Sequence, residues 1–291
     1  MQDAFSHCQD LVRAGDGDRF LATLFAPATH RASIFALYAY NLEIVRIREA
    51  ARASLAGEIR LQWWRDVLLG DARGEGDGHP VAAALLATIV RYGLQTSQLT
   101  AIADAHQFDL YDEPMPTLSA LEAYADATSG NLISVCARIL EDGRSLEIGN
   151  LAHHAGNAHA IAGLLAAFAV HARRGQLYVP LELLDRHGVC ARELLGDQSG
   201  GPRRASRGLS AALAELRSVA RAHLVRAREE LSTAPASVAP ALLPVALAPA
   251  ILARTEASDY DPFTPVEIAP WRRAWRVWRA GRRPDRIFRA G

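Results

Sequence analysis

The spacing of hydrophobic residues along the 291-residue chain follows the period of an α-helix almost throughout. Apolar positions recur about every three to four residues, and the strict alternation that is typical of strands is scarce. Glycines, prolines and capping residues divide this pattern into separate predicted helices. They cover residues 30–56, 58–70, 80–92, 96–111, 117–141, 147–172, 207–231 and 237–254. The pattern therefore predicts an all-α protein, and its continuity favours one large domain.

One apolar segment is long enough to cross a membrane. Residues 234–253 contain no charged side chain, and about 20 apolar residues suffice for a transmembrane helix. The same segment contains Pro235, Pro240, Pro244 and Pro249. Because proline inside a helix removes a hydrogen bond and kinks the chain, we expect a kinked, buried helix here rather than a membrane span.

Tryptophan and arginine share the turns of a predicted C-terminal helix. Trp271, Trp275 and Trp278 follow the spacing i, i+4 and i+7, which places side chains on one helical face. The arginines around them are Arg272, Arg273, Arg276 and Arg279. Tryptophan beside arginine suits an anionic membrane surface, where the rings lie at the depth of the lipid headgroups. In the alternative, the three rings pack against the domain and the arginines face water.

Charge is distributed unevenly between this tail and the remainder of the chain. The 32 basic and 32 acidic residues cancel, but from Trp271 onward eight arginines stand against one acid, Asp285. We predict a helical domain at residues 1–258 and a basic tail at residues 259–291 that binds an anionic membrane. No nucleic-acid partner is expected, because a basic tail without a recognition module is only an electrostatic feature.

Composition excludes several chemistries. All 32 basic residues are arginine, so no lysine is available for a Schiff base or a phosphate-binding loop. Cys8, Cys136 and Cys190 match no disulfide or zinc pattern. His153 and His154 are adjacent, so they point about 100° apart on a helix, and no metal site is expected. The first residues lack the basic start and apolar core of a signal peptide, which predicts a cytoplasmic protein.

Four sequence blocks carry a resemblance to a known family. The two longer ones are RFLATLFAPATHRASIFALYAYNLEIVRIREA at residues 19–50 and ARRGQLYVPLELLDRHGV at residues 172–189. The shorter blocks HPVAAAL, residues 79–85, and YADATSGNL, residues 124–132, lie between them. Together they resemble the squalene/phytoene synthase superfamily, over most of residues 18–255. The resemblance implies an isoprenoid-synthase-like helical barrel with a central cavity, in which active members join two isoprenyl diphosphates.

The resemblance also implies where metal ions would bind. In the family, two pairs of aspartates, each at i and i+4, hold the Mg²⁺ that neutralises a departing diphosphate. The first pair corresponds to Val45 and Glu49, and the second to Ala167 and His171. No Asp or Glu occurs from residue 148 to residue 181, so a shifted register supplies no carboxylate. Both motifs are therefore degenerate, and Mg²⁺ is expected only if a metal site has been rebuilt around Glu49.

Residues expected to line the cavity come from several predicted helices. Tyr38, Leu42 and Val45 share one helical face, although that face is ordinary core in the alternative interpretation. Arg173 and Arg174 follow the second motif and are candidates for binding an anion. The expected cavity residues are Phe20, Tyr38, Asn41, Leu42, Val45, Glu49, Ser129, Gly130, Gly163, Ala167, His171 and Tyr178.

Three functions remain open from the sequence. The chain resembles in particular a branch with eroded aspartate motifs, which includes an assembly factor of mitochondrial respiratory complex I and bacterial relatives. This implies a protein without Mg²⁺-diphosphate chemistry that binds an isoprenoid or other lipid, or assists complex assembly, on the inner face of a membrane. The first alternative is an active transferase that joins farnesyl or geranylgeranyl diphosphates head to head. The second is a helical interaction protein whose cavity is filled.

Overall fold

The computed structural model describes residues 1–50, 53–71, 78–195 and 205–289, and the regular structure within these ranges is helical. The α-helices are α1 (Gln2–Gly15), α2 (Gly17–Thr23), α3 (Ala28–Ala50), α4 (Ser54–Leu69), α5 (Pro80–Tyr92), α6 (Thr96–Ala105), α7 (Leu118–Ala125), α8 (Asn131–Leu140), α9 (Gly149–Ala166), α10 (Phe168–Arg173), α11 (Leu181–Arg186), α12 (Ala191–Leu195), α13 (Arg207–Leu231), α14 (Ala239–Leu242), α15 (Ala248–Thr255) and α16 (Pro270–Arg282). The predicted all-α, single-domain class is confirmed.

Two predicted helices agree with the structure at both ends, because capping groups define their starts. The His79 ring nitrogen accepts a hydrogen bond from the backbone N–H of Ala82 at the start of α5. Ser206 Oγ accepts one from the N–H of Leu209 at the start of α13. Such caps satisfy backbone donors that a first helical turn leaves unpaired. The predicted helix at 30–56 ends instead at Ala50, and residues 51–52 lie outside the described ranges.

Two long predicted helices are interrupted. A π-helical turn at Asp126–Gly130 separates α7 from α8, and Ala167 separates α9 from α10. At the π-turn two backbones approach closely, since a Cβ atom on Gly156 would lie 2.5 Å from the backbone nitrogen of Gly130. Only glycine at position 156 permits this crossing of α9 over the π-turn.

The core surrounds α3, which is buried on most of its faces. Ile34 to Leu42 of this helix are buried, and α3 packs against α1, α5, α8 and α4. The Tyr40 hydroxyl donates a hydrogen bond to the carbonyl oxygen of Leu99, at 2.7 Å. A second layer forms where α9 packs against α13 and α15. The N-terminal helices α1 and α2, which the hydrophobic pattern did not predict, complete the barrel beside α3.

The uncharged segment forms a broken helical run inside the protein. Helices α14 and α15 are separated by a 3₁₀ turn at Leu243–Leu247, and a second 3₁₀ turn at Ala236–Val238 precedes them. Among the described residues, 236–255 is the one stretch that is long and apolar enough to cross a membrane. Of its most apolar 18 residues, 72% are buried inside the protein. The structure thus agrees with the predicted kinked, buried helix.

Candidate functional site

The first degenerate motif lies at the C-terminal end of α3, where the helix leaves the core. Val45 is 46% exposed, and Glu49 is also exposed. Tyr38, Asn41 and Leu42 are buried one to three turns earlier on the same helix. The predicted face therefore passes from the barrel interior to its rim, and the motif lies at the rim.

The second degenerate motif lies at the junction of α9 and α10. Ala167 interrupts the helix with φ −90° and ψ 3°, and the N–H of Val266 donates a hydrogen bond to the carbonyl oxygen of Ala166, at 3.3 Å. The C-terminal segment therefore contacts this junction. His171 packs with its ring centroid 4.8 Å from that of Tyr178, and burial lowers the pKa of His171. A methyl group and a neutral imidazole offer Mg²⁺ no carboxylate.

An ion pair joins the two degenerate motifs. Arg174 Nη1 lies 2.7 Å from Glu49 Oε1, with the side chains 49% and 56% exposed respectively. A pair exposed to this degree stabilises the fold by less than about 1 kcal/mol. The pair matters more for metal binding than for stability, because the one remaining carboxylate of the two motifs is occupied by a guanidinium. Arg173, the other predicted anion ligand, is exposed beside it.

A largely buried carboxylate lies behind this rim, with its side chain 13% exposed. Asp109 accepts hydrogen bonds from the hydroxyl of Tyr178 at 2.6 Å and of Tyr124 at 3.0 Å. His106 Nδ1 lies 2.6 Å from the same carboxylate. Burial and the neighbouring carboxylate both raise the pKa of Tyr178 and Tyr124, so the two hydroxyls remain protonated donors. Tyr178 was expected from the sequence, whereas Asp109 was not, because the partners of Asp109 come from distant parts of the chain.

An open cleft of about 670 Å³ shares no lining residue with the two motifs. It lies between the α1–α2 connection, α9 and the start of α16. The lining residues are Gly15, Asp16, Gly17, Asp18, Arg19, Leu21, His159, Pro244, Pro270, Arg273 and Ala274. Asp16 caps α2 and holds Arg19 in place, since its carboxylate accepts from the Arg19 backbone N–H at 2.9 Å and from Nη1 at 2.7 Å.

Electrostatics within the cleft centre on three side chains. Burial alone would raise the pKa of Asp16, but the charge and hydrogen bonds of Arg19 outweigh it and hold that pKa below its ordinary value. Burial lowers the pKa of His159 to about 4, and the positive charge of Arg19 acts in the same direction. His159 is therefore neutral at pH 7. This group was not predicted from the sequence, because no local pattern around His159 indicates a contact with α2.

The inner end of the cleft is narrow. A void of about 10 Å³ continues from Arg19, His159 and Pro244 to Tyr38 and Ser129, and it is completed by Leu132, Ile133, Ala241 and Val245. A void of that size holds about one water molecule. The structure therefore brings two of the expected cavity residues, Tyr38 and Ser129, into the lining of the cleft, whose inner end is almost closed by side chains.

The other expected cavity residues have varied surroundings. Phe20 stacks on Phe35 with ring centroids 5.4 Å apart, and Gly130 takes part in the crossing of α9 over the π-turn. Gly163 is exposed, and a Cβ atom there would meet nothing within 4 Å. Phe20, Gly130 and Gly163 line neither the cleft nor the void at its inner end.

The C-terminal helix α16 separates its tryptophans from its buried side chains. Val277 and Ala280 are buried, whereas Trp271, Trp275 and Trp278 are 67%, 48% and 55% exposed. The helix packs against α2 and the 3₁₀ turn at Leu243–Leu247. The three tryptophan rings therefore do not pack into the domain.

Arginines from α16 and the residues after it surround a second pocket, of about 210 Å³. Its lining residues are Ala246, Trp275, Arg276, Arg279, Ala280, Arg286 and Arg289. The guanidinium of Arg279 lies 5.0 Å from the Trp275 ring centroid, and Arg289 lies 3.8 Å from the carboxylate of Asp285. Four guanidinium groups around one small pocket provide the donors that a phosphate or carboxylate accepts.

Comparisons with known proteins agree with this architecture. The chain is 27% identical over 259 residues to human NADH dehydrogenase (ubiquinone) complex I, assembly factor 6, covering 89% of this chain and 76% of that protein. It is 28% identical over 189 residues to a presqualene diphosphate synthase from Sinorhizobium fredii, covering 64% of this chain and 66% of that protein.

Solved structures show the same fold at lower identity. A dehydrosqualene synthase in complex with ligand superposes with a TM-score of 0.77 at 19% identity, covering 97% of this chain and 96% of that one. A squalene synthase from Alicyclobacillus acidocaldarius gives a TM-score of 0.74 at 21% identity, covering 90% of this chain and 96% of that one. The family model described as squalene/phytoene synthase matches residues 12–279. The chain therefore belongs to the squalene/phytoene synthase family.

Proposed function

We propose that this protein is a non-catalytic member of its family that works at a membrane surface in the assembly of respiratory complex I. The observation that carries the proposal is the state of the two metal motifs. Val45, Ala167 and His171 offer no carboxylate, and Glu49 is paired with Arg174 at 2.7 Å. Because departure of a diphosphate needs metal ions that neutralise the developing charge, the loss of these ligands removes the family chemistry.

Similarity supports the assembly role. Complex I assembly factor 6 from several animals resembles this chain along most of its length. A respiratory-complex protein is therefore the partner that we propose.

The C-terminal helix supports the membrane-peripheral location, for which we propose the cytoplasmic face. Its tryptophan face is exposed, and a ring at headgroup depth contributes an amphipathic anchor. The adjacent arginine pocket suits an anionic headgroup, and each arginine near such a surface contributes on the order of 1 kcal/mol. The other side of α16 lines the open cleft through Pro270, Arg273 and Ala274. A lipid, isoprenoid or other, thus has a short route from the membrane to the cleft.

The membrane step is tested by vesicle co-sedimentation. We expect that Trp271→Ala, Trp275→Ala and Trp278→Ala together abolish binding to vesicles that contain anionic phospholipid. The matched control removes three equally exposed apolar side chains from α4, as Leu55→Ala, Ile59→Ala and Leu69→Ala. Equal binding by the two triple variants would contradict the membrane proposal.

The assembly step is tested by gene deletion in a host that contains complex I. We expect less assembled complex on native gels after deletion, and recovery when the chain is returned. The variant Glu49→Gln, which removes the last carboxylate of the motifs, should restore assembly as well as the unaltered chain does. Failure of Glu49→Gln alone would indicate that this carboxylate performs chemistry, and an unchanged level of complex after deletion would oppose the assembly role.

A second candidate is an active isoprenyl-diphosphate transferase. The similarity to presqualene diphosphate synthases favours it. Such an enzyme would have to break the Glu49–Arg174 pair and recruit further carboxylates before Mg²⁺ could bind, which is why we rank it second.

A further inference from the structure

Three histidines from two helices meet at the surface between α9 and α13. His153 and His154 lie on α9, and His223 lies on α13. One ring nitrogen from each lies within 4.8 Å of the others, and the Nδ1 atoms of His154 and His223 are 2.9 Å apart. Sequence spacing gave no hint of this cluster, because His223 is distant in the chain from the adjacent pair.

Two carboxylates fix the orientation of these rings. Glu122 Oε1 lies 3.1 Å from His223 Nε2, and Asp126 Oδ1 lies 3.0 Å from His153 Nδ1. When each carboxylate accepts a hydrogen bond from the ring N–H of its histidine, the other nitrogen of that neutral ring keeps its lone pair. Lone pairs are then available at His223 Nδ1 and His153 Nε2. A carboxylate behind a histidine is the arrangement that orients metal-binding imidazoles in proteins.

We propose that His153, His154 and His223 bind one divalent transition-metal ion, with Glu122 and Asp126 as positioning residues. Imidazole nitrogens suit Zn²⁺, Ni²⁺ and Cu²⁺, whereas Mg²⁺ takes oxygen ligands. Three histidines leave a fourth position for water, as in open zinc sites.

The geometry requires only a small adjustment. Zn–N distances of about 2.0–2.1 Å place neighbouring ligand nitrogens about 3.4 Å apart in a tetrahedron. The Nδ1 atoms of His154 and His223 are 2.9 Å apart because His154 donates a hydrogen bond to His223. Metal binding through both atoms would shift the His154 proton to Nε2 and separate the two nitrogens by about 0.5 Å. The widest separation, 4.8 Å, can close through His153, whose side chain is 39% exposed. His223 is buried and its ring stays in place.

The cluster is separate from the degenerate motifs at the barrel rim. It connects α7, the π-turn and α9 to α13 through side chains alone. Asp126 is the first residue of the π-turn, and such turns occur frequently at functional sites. A bound ion would therefore clamp α13 against α9, and it would stabilise the folded protein by an amount that grows with the logarithm of the free ion concentration above the dissociation constant.

The test uses metal-free full-length protein. We expect titration calorimetry with Zn²⁺ to give one bound equivalent, a higher melting temperature, and no effect of Mg²⁺ in excess. Replacement of Zn²⁺ by Co²⁺ should give the visible absorption bands of a four-coordinate site with three imidazole ligands and one water. The variants His154→Ala and His223→Ala should lose the bound equivalent, while Glu122→Gln should weaken it by on the order of 10- to 100-fold.

The matched control is His7→Ala, which removes an exposed histidine elsewhere and should leave Zn²⁺ binding unchanged. If His223→Ala does not fold, His153→Ala, at a half-exposed position, provides the same comparison. Absence of Zn²⁺ binding to the unaltered protein, or binding that the cluster variants leave unchanged, would overturn the proposal.

Discussion

His159 should make the stability of this protein depend on pH in a way that one substitution removes. The unfolded chain protonates this ring near its ordinary pKa of 6.5, whereas the folded protein protonates it only near 4. Between these values the unfolded state binds more protons, so the free energy of unfolding decreases as the pH falls. The contribution is fully present above pH 6.5 and is lost progressively towards pH 4.

The magnitude follows from the two pKa values. One pKa unit corresponds to about 1.4 kcal/mol, so the drop from 6.5 to about 4 sets an upper limit of about 3.5 kcal/mol over the full titration. The ring is partly exposed to the cleft, and solvent reduces the effect below that limit. We therefore expect urea unfolding to show the unaltered protein losing about 1–2 kcal/mol more than His159→Gln between pH 7 and pH 4.5, because this window ends above the folded pKa of about 4.

The comparison isolates one titration, because the variant keeps every other histidine. An exposed histidine serves as control, and His7→Gln should leave the pH dependence of the unaltered protein unchanged. Parallel stability curves for the unaltered protein and His159→Gln would refute the lowered pKa of His159 in the folded protein.

Three substitutions test the packing of α9 and the ion pair at the rim. Gly156→Ala should lower the free energy of unfolding by about 1–3 kcal/mol, since its Cβ would lie 2.5 Å from the Gly130 backbone. In the same helix a Cβ atom at Gly163 meets open space, so Gly163→Ala should raise the free energy of unfolding by about 0.5–1 kcal/mol. Urea unfolding measures both glycine variants, and equal effects would contradict the close crossing of α9 over the π-turn. Arg174→Ala frees Glu49 but should change the free energy of unfolding by less than about 1 kcal/mol, and a larger loss would mean that the pair is less exposed than described.

Local signals were sufficient to predict much of the helical framework. Helices α5 and α13 could be bounded from the sequence, because His79 and Ser206 supply caps at their starts. The break at Ala167 could not, since alanine is a strong helix former and the interruption depends on contacts with the C-terminal segment. The π-turn at Asp126–Gly130 likewise depends on the close approach of α9, which no local pattern encodes.

The candidate site was predictable only where it lies within one motif. The loss of metal ligands at Ala167 and His171 can be seen in the sequence, whereas the pairing of Glu49 with Arg174 needs two helices in contact. The helical period of the tail placed the three tryptophans on one face. It could not decide which face was buried, because that choice depends on Val277 packing into the domain.

The central claim is that the metal-dependent chemistry of the family is absent from this chain. Its most direct test is incubation of the folded protein with labelled farnesyl and geranylgeranyl diphosphates, with and without Mg²⁺ or Mn²⁺, followed by extraction of apolar products. We predict no hydrocarbon and no coupled diphosphate intermediate under any of these conditions. Metal-dependent formation of a squalene-like or phytoene-like product would contradict the account and establish a rebuilt metal site.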